Sequence, residues 1–201
     1  IVIMCNKDKV KCLSGMKYIL MDGTFSVAPH GFMQVYTIHG GFDKGIHFTL
    51  FYVVMKRRRE DDYKRVFSRI QKFCMEEFNF SLFNRDRIVI TDYEKAVFAA
   101  LKQYGCRMQG CLFHFAQCVY RKVKKVGLSD EYNNHRSTVH IYVRLLLLIA
   151  FISLSLKREA FNDLVRSFNS ESGNRGTRGK MAVVFDYFNN TTAILPLVPL
   201  F

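Results

Sequence analysis

Two short apolar runs each stop at an aspartate, and the remaining hydrophobic pattern is arranged around them. Tyr18 to Met21 is continuously apolar, which predicts a strand covered on both faces, and Asp22-Gly23-Thr24 forms its polar exit. Ile88 to Ile90 repeats the arrangement. There Thr91 and Glu94 have capping-box spacing, and Ala96 to Leu101 continues as a helix whose first turn holds Asp92. Between the two, Phe32 to His39 and Ile46 to Met55 are β-rich and separated by Gly40, Gly41 and Gly45, which predicts sequential antiparallel strands. Glu60-Asp61-Asp62 then opens a helix with Tyr63, Val66, Phe67, Ile70, Phe73 and Cys74 at helical spacing.

Beyond Gly105, a short strand near Cys106 to Gln109 leads to another helix. Leu112, Phe115, Ala116, Val119, Val123 and Val126 form its apolar face, and Gly127 ends it. The opposite stripe carries Cys111, His114, Cys118, Arg121 and Lys125. From about residue 136 the pattern is helical and apolar. Residues 139–156 and Glu159 to Phe168 read as paired helices, Asn169 to Gly179 as a flexible basic loop, and Met181 to Phe188 as a resumed helix. The apolar run Ile141 to Leu156 is broken by Arg144 and, at about 16 residues, is shorter than the roughly 20 of a spanning helix. It predicts a buried helix and no membrane partner. The opening segment to about residue 15 is mixed in character and leads into the first strand.

Three strands in a meander, a helix, a strand, a helix, a short strand and a helix predict an α/β fold, a mixed sheet with flanking helices. That order matches the ribonuclease H-like fold, whose first and fourth strands are neighbours. Asp22 and Asp92 are 92 − 22 = 70 positions apart in the chain; the fold would bring them together. Either aspartate alone is an ordinary turn or first-turn residue. A pair on neighbouring strand ends supplies hard oxygen ligands for divalent cations that activate water.

A net charge of +13 and a pI near 9.6 favour polyanionic partners. Basic runs occur at Lys56–Arg59, Arg121–Lys125 and Arg175–Lys180, and Arg57, Arg58, Arg121, Lys124 and Lys125 are the candidate DNA contacts. Six cysteines show no disulfide framework, so reduced thiols inside a cell are expected. Cys111 and His114 lie one helical turn apart, with Cys118 roughly 10 Å farther along the axis from Cys111. A tetrahedral zinc site would need His135 and His140 as well; the alternative makes His114 a polar residue lining a groove. His39 and His47 read as strand residues rather than ligands. Starting at Ile1 and ending on the apolar Pro196 to Phe201, the chain reads as an excised piece of a longer protein.

Four segments carry a resemblance: Asp22-Gly-Thr-Phe-Ser-Val-Ala-Pro29, Gln34-Val-Tyr-Thr-Ile-His39, Thr91-Asp-Tyr-Glu-Lys-Ala96 and Gly110-Cys-Leu-Phe-His-Phe-Ala-Gln117. In order and spacing they resemble the Mutator-like element transposase domain, from about Lys17 to Phe188. The resemblance implies a DDE-type transposase, in which two aspartates and a later glutamate hold two Mg²⁺ or Mn²⁺ ions. By position Asp22 is the first acid and Asp92 the second, and Cys111 and His114 match the family's Cys-x-x-His pair. It further implies transposon ends and target DNA as partners, a homo-oligomeric synaptic complex, and nuclear localisation. Residues 1–130 would be the catalytic core and 131–201 the helical insertion that precedes the third acid. The Thr-Asn-Asn and Glu segment of the family does not occur before Phe201, and Glu131, Glu159 and Glu171 lie outside such a context. Two functions follow as expectations: a partial catalytic core inactive alone, or a domesticated domain that binds DNA or protein without chemistry.

Overall fold

The computed structural model describes residues 1–42, 45–171 and 174–192, so Pro196 to Phe201 lie outside it. The chain forms two compact units, residues 1–109 and 110–201. In the first, the strands are β1 (Val2–Cys5), β2 (Tyr18–Thr24), β3 (Gln34–Gly41), β4 (His47–Met55), β5 (Ile88–Thr91) and β6 (Arg107–Gly110), ordered β1-β4-β3-β2-β5-β6. Strands β2, β3 and β4 pair antiparallel in a meander, and β5 joins β2 in parallel. The predicted mixed sheet is present, with the meander's first strand, β2, beside β5, the next strand after the meander, as in a ribonuclease H-like sheet.

Sequence reading missed β1, an antiparallel edge strand on β4. Its four residues are mostly exposed, so no burial pattern marks it. The short helix α1 (Lys7–Val10) follows, capped by the Asn6 side chain. Strand β2 also differs from expectation. Ile19 and Met21 are buried but Tyr18 and Leu20 only half-buried, so the continuous apolar run covers two unequal faces. Tyr18 owes its position to a glycine: its ring lies across Gly41, its cross-strand partner, where a Cβ would come within 2.1 Å, and its hydroxyl reaches His47 Nε2 at 2.9 Å.

Helix α2 (Glu60–Phe78) covers the first face of the sheet. Its Tyr63, Val66, Phe67, Ile70 and Cys74 are buried at the predicted spacing, Phe73 packs at the margin, and Glu60, Asp61 and Asp62 occupy the first turn. Ring pairs Tyr36–Tyr63, Tyr63–Phe67 and Phe67–Phe83, with centroids 5.2, 5.9 and 5.4 Å apart, tie β3 and the segment before β5 to this helix. Helix α3 (Lys95–Leu101) begins later than the Thr91/Glu94 spacing predicts. Thr91 is still strand, Glu94 is the N-cap residue without a side-chain cap bond, and Asp92 therefore lies in the turn rather than the helix. The Thr91 hydroxyl is engaged elsewhere, as shown below, and is unavailable as a cap. Gly105, with φ of 69°, ends the turn after α3 in the left-handed region.

The second unit is helical: α4 (Leu112–Lys125), α5 (Ser129–Asn133), α6 (Thr138–Leu148), α7 (Lys157–Glu171) and α8 (Arg175–Thr192). Phe115, Val119, Val123, Phe168, Phe185 and Phe188 are buried in it. Two expectations are corrected. Residues 141–156 do not form one buried helix: α6 buries Val139, Tyr142, Val143 and Leu146 but leaves Ile141, Leu145 and Leu148 exposed, and a turn follows at 149–151. The predicted loop at 169–179 is mostly helix, because α7 runs to Glu171 and Asn174 caps α8, its Oδ1 accepting from Gly176 N at 2.8 Å and Thr177 N at 3.3 Å. Among the described residues, no helix is long and apolar enough to cross a membrane.

Candidate active site

Strand register determines where the two aspartates stand. The parallel pairs Tyr18↔Ile88, Ile19↔Val89 and Leu20↔Ile90 share one offset, and each strand reaches its aspartate two residues beyond the last pair. Asp22 is thus within β2, two residues past the last pair, and Asp92 is the first residue after β5, so both lie at the same end of two adjacent parallel strands. Alternation then separates neighbours: Met21 and Gly23 share the α2 side of β2, whereas Asp22 shares the other side with its cross-strand partner Thr37.

Each aspartate is met by a threonine. Thr37 Oγ1 donates to the Asp22 main-chain carbonyl at 3.2 Å, and Thr91 Oγ1 donates to Asp92 Oδ1 at 3.4 Å. Because the Thr91 hydrogen is used on Asp92, the buried Tyr36 hydroxyl at 3.4 Å donates to Thr91 in turn. A second chain runs beside it. Gln34 Nε2 donates to Tyr63 Oη at 2.7 Å, and Tyr63 Oη donates to Glu94 Oε2 at 2.9 Å. Burial, reinforced by the Glu94 and Asp92 charges, raises the pKa of the Tyr63 hydroxyl, keeping it a donor. Burial also raises the Glu94 pKa, with Asp92 adding to the rise and Tyr63 and Arg58 opposing it.

The turns after the two strands are linked through Arg58. Its guanidinium lies 4.7 Å from the centre of the Phe25 ring, and its Nε is 3.8 Å from Glu94 Oε1. Gly23 lies against the Gln34 amide: a Cβ there would approach Gln34 Oε1 to 2.7 Å and force that buried side chain to shift. Gln34, Tyr36, Tyr63, Thr91 and Glu94 were not identified as site residues from sequence. The signal available for Gln34, Tyr36, Thr91 and Glu94 was their position within the segments Gln34–His39 and Thr91–Ala96, and for Tyr63 its place on the apolar face of α2.

The other sequence-derived candidates lie elsewhere. Arg57 is exposed, next to Arg58. In the helical unit Cys111 is the N-cap residue of α4 and His114 is half-buried in its first turn. Arg121, Lys124 and Lys125 are exposed on the same helix, with Arg121 donating to Gln117 and Lys124 lying 5.8 Å from the Tyr120 ring centre. The four residues of the zinc alternative are not gathered into one site. Among the described residues, no three His, Cys, Asp or Glu side chains gather as a metal-holding group. His135 and His140 instead meet each other, with ring centres 4.6 Å apart, and His140 Nδ1 donates to the Tyr132 carbonyl at 2.6 Å.

The donor set at the strand ends suits a different ion. Carboxylate oxygens fit Mg²⁺ or Mn²⁺, which bind through one or two protein carboxylates and complete their shells with water and phosphate oxygens. Residues 18–118 match the MULE transposase domain, and the chain belongs to that family. No curated protein matches the chain significantly.

Proposed function

We propose that this chain is the catalytic-core portion of a cut-and-paste DNA transposase, with Asp22 and Asp92 as two carboxylate ligands of a Mg²⁺ or Mn²⁺ site. The observation that supports the reading is that β2, which contains Asp22, pairs in parallel with β5, which Asp92 directly follows, within the family match. A divalent cation held there would supply Lewis-acid activation of water or of a DNA 3′-hydroxyl and would neutralise charge at the leaving oxygen. The protein's own contribution is positional: Thr37 holds the Asp22 main chain, Thr91 meets the Asp92 carboxylate, and Arg58, between Phe25 and Glu94, joins the turns that follow them. In this reading residues 1–130 form the core and 131–201 the insertion. Arg57, Arg121, Lys124 and Lys125 contact DNA phosphates, a homo-oligomer brings transposon ends together, and the protein acts in the nucleus.

A second reading, DNA or protein binding without chemistry, draws on one observation: among the described residues, no third acid joins the pair in a metal-holding group. A DNA-nicking assay in Mg²⁺ or Mn²⁺ separates the two when combined with salt-dependent binding. The chain alone is expected to bind DNA, more weakly as salt rises, and to bind Mn²⁺ through Asp22 and Asp92 while nicking poorly without a third acid. Robust nicking abolished by Asp22→Ala would overturn the expected inactivity. Salt-sensitive DNA binding without Mn²⁺ binding would favour the non-catalytic reading.

A further inference from the structure

His39 sits at an irregular point of β3. The β3–β4 register shifts between Ile38 and His39, a β-bulge or irregularity of the kind that re-aims a side chain. The imidazole lies between two hydroxyls: Nε2 is 3.0 Å from Thr37 Oγ1, and Nδ1 is 3.0 Å from Thr49 Oγ1. The direction of each bond follows from the end of the chain. A main-chain carbonyl can only accept, so Thr37 spends its hydrogen on Asp22 O; its oxygen must then accept from His39 Nε2–H, leaving Nδ1 to accept from Thr49. One neutral tautomer completes a continuous line, Thr49 to His39 to Thr37 to Asp22, across three strands. Leu20↔His39 and Asp22↔Thr37 are cross-strand pairs, so His39 and Thr37 project to the same side of the sheet as Asp22.

We propose that His39, held by Thr49 and acting through Thr37, is a positioning residue for Asp22, fixing the β2 exit so that its carboxylate is set for a divalent cation. This rests on the reading of Asp22 as a metal ligand. The half-buried imidazole touches no cation in this scheme; it acts as a hydrogen-bonded spacer of defined length between two hydroxyls. The electrostatics agree with that role, because burial depresses the His39 pKa more strongly than the Asp22 charge raises it, favouring the neutral ring.

The test is Mn²⁺ binding to the whole chain, followed by calorimetry or by the paramagnetic resonance of free Mn²⁺, with folding checked by circular dichroism. His39→Leu keeps bulk but breaks the line and is expected to weaken Mn²⁺ about tenfold or more, the usual effect of losing an outer hydrogen-bond partner. His39→Gln, which can donate to Thr37 and accept from Thr49, should recover most of the affinity; a purely space-filling role would not distinguish the two. Thr37→Val serves as the second variant if His39→Leu fails to fold, with the same expected loss. Asp22→Asn is the control for the underlying reading. If it abolishes binding while folded His39→Leu and Thr37→Val bind as wild type does, the positioning role is wrong and the metal site stands. If Asp22→Asn itself leaves Mn²⁺ affinity unchanged, the metal site is wrong and the positioning role falls with it.

Discussion

Strand β3 has two sides that perform opposite tasks within six residues. On one side, Gln34, Tyr36 and Ile38 are fully buried, with the aromatic rings of α2 packed against Tyr36. On the other, Val35, Thr37 and His39 are only half-buried, and Thr37 and His39 form a polar line to Asp22. The comparison shows how a single alternating strand can anchor a core and hold an acid. It also shows that the sides are not wholly independent, because Tyr36 reaches Asp92 through Thr91.

Substitutions on the two sides should therefore separate stability from metal affinity. The largest stability effect is expected for Phe67→Ala, which removes a fully buried ring contacting Tyr36, Tyr63 and Phe83. A loss of about 3–5 kcal/mol is expected from denaturant unfolding, with Mn²⁺ affinity of the folded fraction retained. Gly23→Ala comes next, because its Cβ would press on Gln34 Oε1, itself held in place by Tyr63. A cost of about 1–3 kcal/mol is expected, as for overpacking, and Gln34→Ala in the same chain should recover part of it. A fully additive double variant would show that the two residues do not meet.

Two pH effects are smaller and opposite in sign. Burial lowers the His39 pKa below 6.5, so the unfolded chain takes up its proton first as pH falls. The associated stability is complete above about pH 6.5 and is lost as pH falls through the depressed folded value, and His39→Gln should remove that acid-side slope from thermal unfolding. Glu94 is the reverse case, its pKa raised above 4.5 chiefly by burial. Its contribution is complete below about pH 4 and is lost as pH rises through the folded value, so Glu94→Gln should unfold slightly later than wild type at neutral pH and together with it in acid. A Glu94→Gln chain less stable than wild type at neutral pH would mean that the Arg58 pair outweighs the cost of burying the charge.

Much of the sheet was legible because its strands are long or bounded by glycine, and α2 because six apolar residues recur at helical spacing. What escaped had weaker marks. Strand β1 is short and exposed, the start of α3 was misplaced because the Thr91 hydroxyl serves Asp92 instead of a helix end, and 169–179 hid a cap in Asn174 among loop-like residues. At the site, both aspartates stood out as acids ending apolar strands. Thr37, Thr91, Gln34 and Glu94 did not, because their roles depend on cross-strand partners that the linear pattern does not specify.

The most direct measurement is the binding of Mn²⁺ to the wild-type chain, to Asp22→Asn, to Asp92→Asn and to the double variant. If the two carboxylates share one cation site, each single variant should lose most of the affinity, and the double variant should lose little more than either, the non-additivity expected of groups that act together. Wild-type affinity retained in either folded single variant, or no binding to the wild type itself, would contradict a site shared by Asp22 and Asp92.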